Sequence, residues 1–281
     1  MLFLSSVLPS MLPYFFFTKL LTGTGCVAGL SESLGKPVGR AYRVNGIASY
    51  PLVMSFLSGY PVGARVLADL YEKRFIDQED AMRAASFTST SGSMFVLGSV
   101  GGAILGDHHL AILILIAHYL GALLNGLLYR GKKGNRSSIP LPLSHAEENA
   151  LSDAMYESVL SLALVGGFIA LCNLLGDMAA DLITWCGGGV IVEEGKVTSG
   201  ILYGFFEVTR GCVEFSAASL SRPWTGALCC FAISFGGLSV VLQSLSFLGK
   251  TGLKKGKFLL MKSTQAIISF LLCLGGGYLF L

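Results

Sequence analysis

LSGYPVGAR, residues 57–65, breaks an apolar run with one serine, two glycines and a proline, and then closes on an arginine. The chain around it is 281 residues long, 53% hydrophobic and only 13% charged, with 36 glycines. A soluble domain carries roughly 25% charged residues. Half of that cannot cover a globule, so the composition places the chain in a bilayer. Inside hydrocarbon an interrupted backbone leaves N–H and C=O groups unpaired. It persists only where it is buried in protein or lines a wet cavity. The stretch therefore reads as the tip of a re-entrant hairpin. Pro61 lacks an N–H, and Gly63 frees the backbone for a tight turn.

Working outward, a spanning helix needs roughly 20 apolar residues. Leu2–Leu21, Leu110–Tyr129, Val159–Trp185 and Ser263–Leu281 meet that length. The remaining apolar runs are shorter and broken. Ile47–Leu57 leads into the opening stretch and Arg65–Leu70 follows it. Ala84–Phe87 runs into Thr88-Ser89-Thr90-Ser91-Gly92-Ser93, and Met94–Leu105 resumes. The second half repeats the pattern. Gly200–Phe206 meets Glu207-Val208-Thr209-Arg210-Gly211, and Ala227–Ile233 meets Ser234-Phe235-Gly236-Gly237 before Leu238–Leu248.

Gly59 and Arg65 recur as Gly204 and Arg210, 145 residues on; Phe87, Gly92 and Val96 recur as Phe231, Gly236 and Val240, 144 residues on. Two nearly equal offsets indicate an internal duplication. The expected fold is all-α: a polytopic membrane protein of two inverted-topology repeats. Each repeat has a spanning helix, a re-entrant hairpin, an interrupted helix and a second spanning helix. The repeats cover residues 1–130 and 151–281, with a polar linker at 131–150. Three crossings per half put most lysines and arginines on one side, from Lys36 and Arg40 through Arg130 to Lys250 and Lys262. The positive-inside rule makes that side, with the linker, cytoplasmic and both termini external in a multi-pass cell-membrane protein.

Intramembrane charge is expensive and usually faces a partner or a polar path. Arg65, Arg210 and Glu207 are thus the first candidates for contact with a solute, and Glu207 stands three residues before Arg210, able to pair with it on one helical face. Ser58, Tyr60, Ser89, Thr90, Ser91, Thr209, Ser234 and Gln243 supply neutral polar contacts at the tips and breaks. Blander readings remain open. Arg65 can snorkel to the cytoplasmic edge, Glu207 can be a structural partner, and the Thr88–Ser93 hydroxyls can bond their own backbone. Gly98, Gly102 and Gly106, spaced by four, read as a close helix-packing face.

Other chemistry is absent. No Ser/His/Asp set, metal-ligand cluster or cofactor motif is present, so no enzyme is indicated. His108-His109 reads as a solvated loop pair. Gly249-Lys250-Thr251 lacks the upstream glycine of a phosphate-binding loop. The seven cysteines are scattered through apolar runs and read as packing residues. No basic stripe with interleaved aromatics suggests nucleic acid. A homo-oligomer is left open.

FLSGYPVGARVLADL (56–70), SFTSTSGSMFVLGSVGGAILG (86–106), GFFEVTRG (204–211) and CFAISFGGLSVVLQ (230–243), in that order, resemble the YlbJ-like family. These are bacterial sporulation integral membrane proteins with a nucleoside-recognition Gate domain. A more remote resemblance is to concentrative nucleoside transporters. Their Ala-Leu-Cys-Gly-Phe-Ala-Asn signature stands here as Ala227–Ile233, with Cys230 and Ile233 departing from it. Their first hairpin tip carries a ribose-contacting glutamate, whereas here the tip glutamate is Glu207 in the second hairpin. The resemblance implies the hairpin-and-broken-helix plan but not the nucleoside or sodium coupling. The expected function is a secondary transporter or facilitator of a small polar or anionic solute. The rival is a non-transporting scaffold for spore-envelope assembly.

Overall fold

The computed structural model describes residues 12–13, 16–17, 20, 26–131, 150–189, 192–193 and 195–280. The expected span Leu2–Leu21 and the linker 131–150 fall almost entirely outside them. Among the described residues the regular structure is helical: α1 (Cys26–Tyr42), α2 (Ser49–Ser58), α3 (Val62–Glu72), α4 (Gln78–Ala84), α5 (Phe95–Leu105) and α6 (His108–Leu128), then α7 (Ala150–Ile183), α8 (Val197–Phe206), α9 (Val208–Ala217), α10 (Arg222–Phe235), α11 (Gly237–Leu248) and α12 (Lys255–Phe280).

Four stretches are long and apolar enough to cross a bilayer: His108–Leu128, Leu151–Gly188, Arg222–Thr251 and Lys255–Phe280. The 34 residues of α7 extend about 51 Å at 1.5 Å per residue, beyond a hydrocarbon core of roughly 30 Å. Leucine and isoleucine side chains at Ile112, Ile116, Leu120 and Leu124 of α6 are exposed. Their spacing of four makes one stripe, and an apolar stripe that faces outward meets lipid. The protein is a multi-pass membrane protein.

Helices α2 and α3 pack against each other, as do α8 and α9. Their 10 or 11 residues each reach about 15 Å at 1.5 Å per residue, half the hydrocarbon core. The two pairs therefore have the length of re-entrant hairpins. Two further helices are interrupted: α4 and α5 flank non-helical residues at 88–92, and α10 and α11 flank Gly236. Helix α3 of the first hairpin packs on α11, and α9 of the second hairpin packs on α5. One apolar core joins Val53, Val62, Phe95, Val208, Cys212 and Ile233, residues from both hairpins, α5 and α10.

The glycine face expected at Gly98, Gly102 and Gly106 does not form. Helix α5 is a π-helix, whose wider turn takes residues four apart out of register. Gly102 and Gly106 are exposed. The close contact falls instead on Gly101, where a Cβ would overlap the Ala111 methyl group.

Candidate functional site: a polar junction of two hairpin tips and two helix breaks

The first tip is held backbone to backbone. Gly59 ends α2 at φ 73° and donates its N–H to Ser55 O at 2.8 Å. A Cβ on Gly59 would overlap Gly92 N in the first break, so glycine is required by conformation and by space. The second tip and break do the same. Gly236 and Gly237 turn at φ 88° and 63°. A Cβ on Gly237 would stand 3.1 Å from both Gly204 O and Phe206 O at the second tip.

Each break frees backbone groups, and side chains from the spanning helices satisfy them. In the first break, Asn125 of α6 donates to Ser86 O at 2.8 Å and Lys262 of α12 donates to Ser89 O at 2.9 Å. Ser91 donates its backbone N–H to His118 Nε2 at 2.9 Å. An N–H can only donate, so Nε2 carries a lone pair and the imidazole is neutral with its proton on Nδ1. That proton faces Ser234 Oγ at 2.7 Å. His118 thus joins the first break to the end of α10. Tyr60 makes a second bridge. Its hydroxyl donates to Ile233 O at 3.2 Å and accepts from Lys262 Nζ at 2.9 Å. Thr90 Oγ1 lies 2.8 Å from Ser55 Oγ, tying the break to α2.

Glu207 is almost fully buried, at 1% exposure. Its carboxylate caps α9, accepting the Arg210 N–H at 2.9 Å and the Thr209 hydroxyl at 3.0 Å. The expected Glu207–Arg210 ion pair is therefore replaced. In an N-cap the glutamate turns toward backbone N–H groups, and the Arg210 guanidinium points outward to Asp177 on α7 and lies over the Tyr203 ring at 3.6 Å. Arg65 is also placed differently from expectation. It sits on the exposed face of α3, because one turn of helix separates it from the tip and rotates it away from the core.

The two tips and two breaks converge on one small cavity. It is lined by Tyr60 from the first tip, Ser91 and Gly92 from the first break, Glu207 and Thr209 from the second tip, and Ser239 and Gln243 beyond the second break. Val165 and Ile169 of α7 close one wall. Its volume is about 40 Å³, room for only a few water molecules. Ligand sites usually measure roughly 300–1,000 Å³, so the cavity in this structure is smaller than a typical ligand site. Three buried polar atoms at or near the junction have no hydrogen-bond partner among the described residues: Ser89 Oγ, Ser239 Oγ and Gln265 Nε2. Buried orphans of this kind are uncommon in folded proteins. Of the residues expected at the site, the structure brings Tyr60, Ser91, Glu207, Thr209 and Gln243 to the cavity wall. Ser89, Thr90 and Ser234 lie buried in the surrounding network, Ser58 is buried at the first tip, and Arg65 and Arg210 point away.

No family model matches the chain. It is 30% identical over 291 residues to the sporulation integral membrane protein YlbJ of Bacillus subtilis (strain 168), an alignment covering 93% of this chain and 71% of that protein. The chain belongs to the YlbJ family. Among solved structures, a variant of the concentrative nucleoside transporter CNTnw in its intermediate 3 state superimposes with a TM-score of 0.51. The match covers 96% of this chain and 74% of that one at 13% identity, a likeness of fold.

Two residues of this YlbJ-family chain escape sequence reasoning. Lys262, expected in a cytoplasmic loop, is 1% exposed and central to the junction. His118 is fully buried in the middle of an apolar helix and bridges both breaks. The available signal was that His118 sits midway along the apolar run Leu110–Tyr129 and that Lys262 stands between the apolar Phe258–Met261 and the run Ser263–Leu281.

Proposed function

We propose that this protein is a secondary transporter or facilitator for a small polar solute, built from two inverted halves whose basic loops face the cytoplasm. The observation that carries the reading is a cavity lined by both hairpin tips and residues at both helix breaks. The reciprocal packing of α3 on α11 and α9 on α5 is what a two-fold relation between the halves produces. Irregular backbone at membrane depth is characteristic of a solute path.

The lining narrows the solute class. Arg65 is exposed, Arg210 is committed to Asp177, and all three N–H bonds of Lys262 have acceptors. The acidic side chain on the cavity wall is Glu207. A carboxylate with serine, threonine, tyrosine and glutamine favours a neutral hydroxyl-bearing or an amine-bearing solute over an anion, which shifts the expectation away from organic anions.

The test is a thermal-unfolding screen of the purified protein with nucleosides, polyols, amines and organic anions, followed by uptake of each hit into proteoliposomes. A neutral or cationic hit that is taken up, and is lost in Glu207→Gln, supports the reading. Stabilisation by organic anions alone contradicts it. A non-transporting scaffold is the second reading. The small cavity volume favours it, since scaffold tips would pack dry. A stoichiometric protein partner with no solute-dependent shift would establish it.

A further inference from the structure

Lys262 is fully buried, with no carboxylate partner among the described residues. Its Nζ donates to three oxygens: Tyr60 Oη at 2.9 Å, Ser89 O at 2.9 Å and Gln265 Oε1 at 3.3 Å. Three donors meet three acceptors, drawn from the first hairpin tip, the first helix break and α12. The same Nζ lies 4.7 Å from the centroid of the Tyr60 ring. Gln265 turns its carbonyl to Nζ and leaves its own Nε2 without a partner among the described residues. The amide is oriented by the cation at the cost of an unpaired donor. A carbonyl released by a helix break, a hydroxyl and an amide oxygen are hard neutral donors, the set that replaces the hydration shell of a monovalent metal ion.

We infer that this oxygen cage is a monovalent-cation site filled by the chain's own Lys262 ammonium, which clamps the first hairpin tip to the first helix break. The tip is thereby held without a metal ion. Without the ammonium, Ser89 O faces a dry space and Tyr60 loses one of its two anchors. The clamp is independent of whether a solute crosses, so its failure and the failure of the transport reading are separate outcomes.

The test follows the opening of the tip in the full-length purified protein. Ser58, 3% exposed at the tip, is replaced by cysteine in a background where Cys26 and Cys186 are serine, and its reaction with N-ethylmaleimide is timed. With Lys262 present, labelling is slow and equal in sodium, potassium and choline chloride. In Lys262→Ala it accelerates by about tenfold or more, as loss of hydrogen bonds from a charged donor requires. Millimolar propylammonium, which restores the deleted atoms, slows it again, and tetramethylammonium, which has no N–H, does not. Slowing by sodium supports the cage equally. Lys262→Met keeps the bulk without the charge and labels fast. The inference is overturned if Lys262→Met labels as slowly as the parent, if propylammonium and sodium both leave Lys262→Ala unchanged, or if the parent itself needs sodium to stay closed.

Discussion

Tyr60 and Glu207, the tip residues of hairpins from opposite halves of the chain, line the same cavity. Tyr60 reaches the wall over the Gly59–Gly92 contact, and Glu207 is fixed there by capping α9. Each tip rests on a helix break, and the breaks are joined through His118.

Glu207 holds α9 in place as well as facing the cavity. Glu207→Ala removes an N-cap, which costs about 0.5–2 kcal/mol, while Glu207→Gln keeps an acceptor and costs less. Thermal unfolding of the three proteins in one detergent gives the order: parent, then Gln, then Ala. A reversed order would mean that burying the carboxylate outweighs its capping bonds.

His118→Ala leaves the Ser91 N–H buried without an acceptor, a loss of about 1–3 kcal/mol. Nitrogen-15 NMR of labelled histidine in the folded protein shows a neutral ring with the proton on Nδ1. A proton on Nε2 would be incompatible with the Ser91 bond.

Gly59→Ala puts a methyl group into the Gly92 backbone at a φ of 73°. Strain of this kind costs on the order of 1–3 kcal/mol before the overlap is counted. Arg65→Ala, on the exposed face of α3, shifts stability by less than about 0.5 kcal/mol and leaves binding of any identified solute intact. Parallel unfolding and binding curves for the two variants separate a tip residue from a bystander on the same stretch of sequence.

Asp107 gives the pH dependence. It lies outside the spanning helices and caps α6, accepting the Leu110 N–H at 3.1 Å, and it meets Arg222 at 2.5 Å. Burial alone would raise its carboxyl. The Leu110 N–H and the Arg222 guanidinium outweigh that and hold it below the ordinary carboxylate range. A lowered folded value means that the stabilisation is present above the ordinary aspartate value of about 3.9 and is lost as pH falls through the lowered one. Arg222 is half exposed, so the pair contributes at most ~1 kcal/mol. Asp107→Asn removes this acid-side loss, visible as a flatter unfolding midpoint below about pH 4.

The breaks were legible because glycine and serine runs interrupt apolar segments at LSGYPVGAR, Thr88–Ser93, GFFEVTRG and Ser234–Gly237. Hydropathy and turn chemistry act locally, so sequence carries them. The polar network was less legible because its partners are distant. Lys262 follows the basic cluster Lys254, Lys255 and Lys257 by a short apolar run and reads as its extension. Its burial depends on which face of α12 meets the Ser89 carbonyl, 173 residues away. Spacing pairs Arg210 with Glu207, but the capping geometry of Glu207 and the position of Asp177 on α7 decide otherwise. The glycine face on α5 failed for a related reason: its π-helical turn is not encoded in residue spacing.

The most direct test of the shared cavity is water access at four of the polar residues that line it. Ser91, Thr209, Ser239 and Gln243 are replaced singly by cysteine in the background lacking Cys26 and Cys186, and treated in proteoliposomes with a charged, membrane-impermeant methanethiosulfonate added to one side at a time. Although all four are buried, the account predicts that each is modified, from both sides, as the two halves alternately open. Thiols at these positions that stay unreactive from either side would mean that the junction is dry and closed, and would contradict it.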